Sequence, residues 1–125
     1  MGHWTASRVA MLIAALAISL SCSVHPSLAE SACASEATLR SVAGTKPTEI
    51  TFRNERPGVV NIFWIDYDGR RHFYRSLERG ETQSLNTYAT HPWVATDANG
   101  NCLGVYIADV GANNVTIRKE GGSQQ

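Results

Sequence analysis

The sequence predicts an all-β protein, a seven-stranded antiparallel β-sandwich, and three observations support this prediction. From residue 48 onward, short runs rich in β-branched and aromatic residues alternate with turn residues. Gly69 and Gly100 each follow Asp or Asn, pairs that tolerate the positive φ of tight hairpins, and Gly80 marks a further reversal. A chain of 125 residues has room for one such domain.

The seven runs differ in which of their faces they bury. They span residues 49–53, 59–67, 71–76, 82–87, 93–97, 103–108 and 114–118. The second run is apolar on both alternating faces, which indicates a central strand covered at least partly on both sides. In the third run, His72 and Tyr74 share the polar face.

Near the C-terminus, the alternation of apolar residues predicts part of the core. Two strands carry apolar side chains at every second position there, and such residues point to one face of a sheet. The predicted core residues of this region are Leu103, Val105, Ile107, Val115 and Ile117.

The N-terminal part has the composition of a secretory leader. Arg8 precedes an apolar run, residues 9–20, that is short for a membrane span, and the small-residue site Ser27-Leu28-Ala29 follows. We therefore expect residues 1–29 to be a signal peptide cleaved after Ala29, and the protein to be secreted or periplasmic. Lipid attachment at Cys22, behind a poor lipobox, is the alternative, and only that would make a membrane its partner.

The remainder divides into three parts. Residues 30–47 are small and polar, and we expect a lead-in that drapes over the domain, with at best a helical turn within 36–42. Residues 48–118 form the predicted β-domain, and residues 119–125 form a polar tail with nothing to bury.

Two cysteines remain after the predicted cleavage, Cys33 and Cys102. An even number of cysteines in an oxidising compartment predicts one disulfide, which in the chain-entropy model would contribute roughly 4 kcal/mol. Two buried free thiols are the alternative.

The composition argues against several classes of function. Eleven acidic residues balance eleven basic ones without a dense basic cluster, so we expect no nucleic-acid partner. A phosphate-binding glycine loop, a nucleophile motif and the spacing of metal ligands are all missing from the sequence. Two histidines, His72 and His91, would make a weak zinc site. We therefore expect no enzyme activity, no cofactor and no metal.

Residues 54–93 carry the most informative pattern in the chain. The pattern consists of the segments ITFRNERPGVVNIFW, DYDG and TYATHPW, with Trp64 ten positions after Asn54 and Tyr74 ten positions after Trp64. This stretch resembles, without gaps in the alignment, the β-domain of the von Hippel-Lindau tumour suppressor family. The resemblance extends over roughly residues 48–117. It implies a prealbumin-like sandwich of the type found in that family.

The resemblance also implies a ligand pocket. In the family, two tryptophans, a tyrosine, a serine and a histidine line the pocket that holds a hydroxylated proline. Thr87 stands where the family has this serine, and Asn86 stands where it has a second histidine that touches the peptide. The candidate ligand-binding residues are therefore Trp64, Tyr74, Asn86, Thr87, His91 and Trp93.

Each of these residues has an expected role and an ordinary alternative. Trp64 and Trp93 would form apolar walls against the pyrrolidine ring, and Tyr74 would hydrogen-bond a carbonyl of the ligand. Thr87 and His91 would pair with the 4-hydroxyl. The alternative is that these side chains pack the core of a small sandwich, as aromatic residues often do.

The resulting functional hypothesis is an exported module that binds a peptide or protein, with hydroxyproline as the recognised residue. The partner would be an extracellular or envelope protein or peptide. Because the helical ligase-recruiting region of the family is not expected here, ubiquitin-ligase subunits are not expected partners, and the chain resembles small exported bacterial proteins built around this β-domain. The alternative is a structural or interaction sandwich of the envelope that does not bind hydroxyproline.

Overall fold

Seven β-strands arranged in two sheets form the domain. The structure, a computed structural model, describes residues 2, 13–23, 28–44 and 46–119. In chain order the strands are β1 Pro47–Asn54, β2 Val60–Ile65, β3 Arg71–Leu77, β4 Thr82–Tyr88, β5 Pro92–Thr96, β6 Cys102–Ile107 and β7 Ala112–Ile117. The predicted seven-stranded sandwich is confirmed, and each predicted run corresponds to one strand.

The two sheets contain three and four strands. The smaller has the order β4-β1-β7 and the larger the order β3-β2-β5-β6. Strand β1 pairs in parallel with β7, whereas the other strand pairs of the described chain are antiparallel. A parallel pair needs a long connection, and here the five intervening strands provide it.

The core lies between the inner faces of the two sheets. Its members are mostly β-branched, leucine and aromatic residues, which fit a pleated and buried surface. The buried cluster consists of Ile50, Phe52, Val60, Ile62, Leu77, Trp93, Ala95, Ala108 and Ile117. The three predicted turns are also present, because Gly69, Gly80 and Gly100 have φ values of 80°, 85° and 84°.

Two predicted core residues are wrong. Val105 is half-buried and lies outside the core cluster. Ile107 is 51% exposed. Ala95 pairs with Gly104 while Thr96 pairs with Cys102, so Leu103 is an extra residue in a β-bulge. The bulge shifts the alternation, so that Leu103 and Tyr106 both pack against the core, while Ile107 lies on the outer face. Of the other predicted core residues, Ile117 is buried and Val115 packs against the core.

A helix that the sequence did not predict precedes the sandwich. Helix α1, Leu28–Ser35, continues into a single 3₁₀ turn, Glu36–Thr38, which is the only part of the predicted helical turn that forms. Helix α1 packs against β6, and the predicted disulfide between Cys33 and Cys102 is confirmed. Glu36 also forms a two-pronged ion pair with Arg71 of β3, with distances of 2.5 and 3.0 Å.

The described part of the predicted leader makes little contact with the domain. Ile13, Leu16, Ile18 and Leu20 are 76–90% exposed. Arg8 and most of the predicted polar tail, residues 120–125, lie outside the described residues. No helix in the described ranges is long and apolar enough to cross a membrane.

Candidate functional site

A cavity of about 420 Å³ opens between the two sheets. It lies where the β4 edge of the smaller sheet faces β2, β3 and β5 of the larger one. The lining residues are Pro47, Thr48, Trp64, Tyr67, Tyr74, Asn86, Thr87, Tyr88, His91 and Trp93. All six residues named from the sequence are among them, so the fold brings together side chains from β2, β3, β4 and β5 and from the turn before β5.

Trp93 forms the inner wall of the cavity. Its side chain is 1% exposed and contacts the ring of Phe52, at a centroid distance of 6.0 Å. The indole Nε1 donates a hydrogen bond of 3.0 Å to the Thr87 hydroxyl. Because a hydroxyl can accept and donate at once, Thr87 keeps its own proton for a second partner. Trp93 therefore offers the cavity only its ring.

Trp64 lies on β2, which neighbours β5 in the larger sheet, and it is paired directly with Trp93 of β5. Its indole Nε1 donates to the Ser41 hydroxyl at 2.7 Å, and this hydroxyl donates to the carbonyl of Ile65 at 2.6 Å. Both indole N–H groups of the site are thus occupied within the protein. A ligand meets two aromatic surfaces with no free indole donor.

His91 is a polar lining residue with one ring nitrogen that is not used in a hydrogen bond within the described part of the protein. The side chain is 4% exposed, and its Nε2 lies 2.9 Å from the carbonyl oxygen of Val42. A carbonyl can only accept, so Nε2 carries the proton and Nδ1 of the neutral ring is an acceptor. Among the described residues, Nδ1 has no hydrogen-bond partner, and no fully buried side-chain nitrogen or oxygen lacks one. Nδ1 therefore reaches the cavity.

Tyr74 reaches the site through an irregularity in β3. Ile62 pairs with Arg75 and Phe63 with Phe73, so Tyr74 is the extra residue of a β-bulge. Bulges redirect side chains and are frequent beside binding sites. The Tyr74 ring meets Trp93 edge to face at 4.9 Å, and the residue remains 44% exposed. Its hydroxyl can therefore contact both solvent and a ligand.

Four lining residues were not found by sequence reasoning. Tyr67 and Tyr88 are exposed and hold their rings 5.7 and 5.5 Å from that of His91. Pro47 and Thr48 come from the start of β1, which lies beside the end of β4. Tyr88 could have been found as the neighbour of Thr87, whereas Tyr67 lies in a turn and no sequence pattern points to it.

The described lining of the cavity contains no Asp, Glu, Lys or Arg. Beside it, the backbone N–H of Arg70 holds the pKa of Asp66 below its usual value, despite an opposing effect of burial. Asp66 thereby supports the turn that carries Tyr67. No group of His, Cys, Asp and Glu side chains in the described ranges could hold a metal ion. The described lining residues can therefore contact a ligand through apolar surfaces and through hydrogen bonds.

The fold and the cavity define a small β-sandwich with an aromatic pocket between its sheets. The family model of the VHL beta domain matches residues 39–109. The chain belongs to the VHL β-domain family, whose members are binding modules, and its fold is known for recognising hydroxyproline. The match begins at Leu39, within the predicted lead-in, and includes all six candidate residues.

Proposed function

We propose that the protein is an exported module that binds hydroxyproline-containing peptides in the aromatic cavity. One observation carries the proposal. The cavity presents a hydrogen-bond acceptor, His91 Nδ1, and a hydrogen-bond donor, the Thr87 hydroxyl, beside the two aromatic walls. A ligand hydroxyl is complementary to both groups, because it can donate to one and accept from the other.

The aromatic residues suit a pyrrolidine ring. Trp64 and Trp93 occupy neighbouring strands and line the cavity, and Tyr74 closes a third side. Since both indole N–H groups are already bonded, apolar contact is the contribution left to these rings. Tyr74 is 44% exposed, and its hydroxyl would donate to a carbonyl of the peptide backbone.

Discrimination against proline would arise from desolvation. An unmodified proline would cover His91 Nδ1 and the Thr87 hydroxyl without bonding either one. A buried polar group left without a partner costs about 1 to 3 kcal/mol. The preference for the hydroxylated residue is therefore at least about tenfold. The methyl group of Thr87 adds bulk beside this position and narrows the range of ligands that fit.

Two features support export of the module. Disulfides persist mainly in oxidising compartments, and the Cys33–Cys102 bridge joins the lead-in to β6. The apolar run of residues 9–20 has the composition of a signal peptide. Cleavage after Ala29 would keep Cys33 and most of α1 with the domain. The partner would then be an extracellular or envelope protein that carries hydroxyproline.

The alternative is a sandwich whose aromatic residues serve only the core, and the burial of Trp93 favours it. Tyr74 does not fit this alternative, because a ring that only packs the core would not remain 44% exposed. His91 does not fit it either. A structural histidine has no need for a nitrogen that faces a cavity without a partner.

An NMR titration tests the proposal. The domain, residues 30–125, is titrated with a short hydroxyproline peptide and with its proline twin. The titration is repeated on His91→Ala and on His72→Ala. His72 is a matched control, because it contacts the Trp64 ring, as His91 does, and the Tyr74 ring without lining the cavity. We expect shifts at the cavity residues with the hydroxylated peptide, lost in His91→Ala and kept in His72→Ala. Shifts of equal size with both peptides, or none with either, would overturn the proposal.

A further inference from the structure

We propose that Ser41 and the backbone carbonyl of Val42 are positioning groups of the binding site, which makes the lead-in a part of that site. Neither residue lines the cavity. Both act through side chains that do, Ser41 through Trp64 and Val42 through His91. The ligand consequences of this proposal rest on the proposed function, whereas its structural consequences can be measured in the free protein.

Ser41 is fastened to the end of β2 by three hydrogen bonds. Its backbone N–H donates to the carbonyl of Asp66 at 3.0 Å, and its hydroxyl donates to the carbonyl of Ile65 at 2.6 Å. The same hydroxyl accepts the indole N–H of Trp64 at 2.7 Å. Ser41 is 3% exposed, so water does not compete for these bonds. The indole of Trp64 is therefore held at its N–H edge by a residue that does not line the cavity.

Val42 then acts on the second polar residue of the site. Its carbonyl accepts from His91 Nε2 at 2.9 Å and so selects one of the two neutral tautomers of the imidazole. Without this carbonyl the ring would populate both tautomers, and Nδ1 would be a donor for part of the time. The carbonyl of Val42 thus makes Nδ1 an acceptor for a ligand hydroxyl.

Gly44 allows the lead-in to pass close enough for this bond. A Cβ atom at position 44 would overlap the side chain of Tyr88 and lie 3.2 Å from His91 Nε2. Any larger residue would push the segment away from the histidine. Glycine at this position is therefore explained by the close approach of the backbone to two cavity residues.

The segment is anchored upstream as well. The disulfide ties Cys33 to Cys102 of β6, and the ion pair ties Glu36 to Arg71 of β3. These two links bracket the start of the lead-in on the larger sheet, and Ser41 follows five residues after Glu36. Because only five positions separate Glu36 from Ser41, the ion pair restricts the movement of Ser41 and Val42 relative to the larger sheet.

The arrangement defines the chemistry of the ligand group that faces His91. This group must donate a proton to Nδ1, and to satisfy Thr87 it must also accept one. A hydroxyl meets both requirements, whereas a carbonyl or an ether oxygen can only accept. The lead-in therefore contributes to selectivity for a hydroxylated residue without touching it.

The first arm of the test uses the unmodified protein. Long-range ¹H–¹⁵N correlations of the free domain, at a pH where the histidine is neutral, report which ring nitrogen of His91 carries the proton. We expect protonated Nε2 and unprotonated Nδ1. A protonated Nδ1, or an even mixture of tautomers, would overturn the proposal, and this arm requires neither a variant nor a ligand.

The second arm compares Ser41→Ala with Ser84→Ala. Ser84 is the matched control, because among the described residues its hydroxyl bonds only the exposed Thr51 hydroxyl on the smaller sheet. In Ser41→Ala we expect a displaced Trp64 indole resonance, a mixed His91 tautomer and about fivefold weaker binding of the hydroxyproline peptide. Binding of the proline twin should change by less than about twofold. Behaviour identical to that of Ser84→Ala would overturn the proposal.

The two arms also separate this inference from the proposed function. If neither peptide binds the unmodified domain, the proposed function fails, while the His91 tautomer and the Trp64 resonance still decide the positioning role. If the peptides bind selectively but Ser41→Ala has no effect on either resonance, only the positioning role fails.

Discussion

Two buried polar regions lie near the two ends of β1, and they use their hydrogen-bonding groups differently. At one end, the Asn54 amide donates to the carbonyls of Gly58 and Leu77, and its oxygen accepts the N–H of Arg56. At the other end, one ring nitrogen of His91 bonds the carbonyl of Val42, and the other ring nitrogen has no partner among the described residues. A buried polar side chain whose partners are all internal stabilises the fold, whereas one with an open atom at a cavity points to a ligand.

The predicted effects follow from this contrast. Changes at the Asn54 region should reduce stability without altering ligand selectivity in the folded fraction. Changes at the cavity should alter selectivity at a smaller cost in stability.

The largest effect is expected from removal of the disulfide. In Cys33→Ser/Cys102→Ser, a link across 69 residues is lost, and the chain-entropy model gives a loss of up to about 4 kcal/mol in the free energy of unfolding. The bridge anchors the lead-in, so the Trp64 indole resonance should move while the side-chain amide resonances of Asn54 stay in place. Urea denaturation and NMR spectra measure the two effects. Equal displacement of the Trp64 and Asn54 signals would contradict the distinction between the cavity and the Asn54 region.

The next effect is expected at Asn54. Asn54→Ala leaves the buried carbonyl of Leu77, the part-buried carbonyl of Gly58 and the N–H of Arg56 without their partner. We expect a loss of about 3 kcal/mol in the free energy of unfolding. Asn61→Ala is the matched control, since in the described part of the chain the Asn61 amide oxygen accepts only from the exposed Ser76 hydroxyl. That variant should lose less than about 1 kcal/mol by the same urea measurement. Similar losses in both variants would show that the Asn54 bonds are not the source of the stability.

A smaller stability effect, joined to a selectivity effect, is expected at Thr87. Thr87→Val removes the hydroxyl and leaves the buried Trp93 N–H unpaired, at a cost of about 1 to 2 kcal/mol. The same change should reduce the preference for hydroxyproline over proline about tenfold in calorimetric titrations. Thr87→Ser keeps the hydroxyl and should retain the preference. A valine variant that still discriminates would exclude Thr87 from the recognition of the ligand.

The smallest effect should be a gain in stability beside the cavity. Thr90 has a φ of 79°, and it is the only described residue other than glycine with a positive φ. A β-branched residue is strained in this conformation, so Thr90→Gly should stabilise the fold by about 1 kcal/mol. Ala89→Gly, at a neighbour with ordinary φ, should destabilise it by about 0.5 to 1 kcal/mol. A lower melting temperature for Thr90→Gly would show that contacts of the threonine outweigh its strain.

The strands were predictable because their signals are local. Alternating apolar residues and the glycines at positions 69, 80 and 100 suffice to place all seven strands. The bulge at Leu103 was not predictable, because it depends on pairing between β5 and β6, and for this reason the predicted core residue Ile107 was wrong. Helix α1 was also missed. A short helix rich in alanine and serine carries no clear apolar stripe, and its place is set by the disulfide.

The candidate site likewise contains residues that could be named from the sequence and residues that could not. Six lining residues were named from a family resemblance, since no single-residue signal separates a cavity tryptophan from a core one. Ser41 and Val42 were not named at all. Val42 acts through its backbone carbonyl, which every residue type possesses, and Ser41 is one of several serines in a polar segment. Only the fold shows that these two residues form hydrogen bonds with Trp64 and His91.

The central claim is that His91 Nδ1 and the Thr87 hydroxyl together read a hydroxyl group at one place in the cavity. Calorimetric titration of the unmodified domain with three matched peptides tests this claim most directly. The peptides carry proline, (4R)-hydroxyproline or (4S)-hydroxyproline at the same position. We predict that one hydroxylated epimer binds at least about tenfold more tightly than the other epimer and than proline. Equal affinity for all three peptides, or no binding of any of them, would contradict the claim.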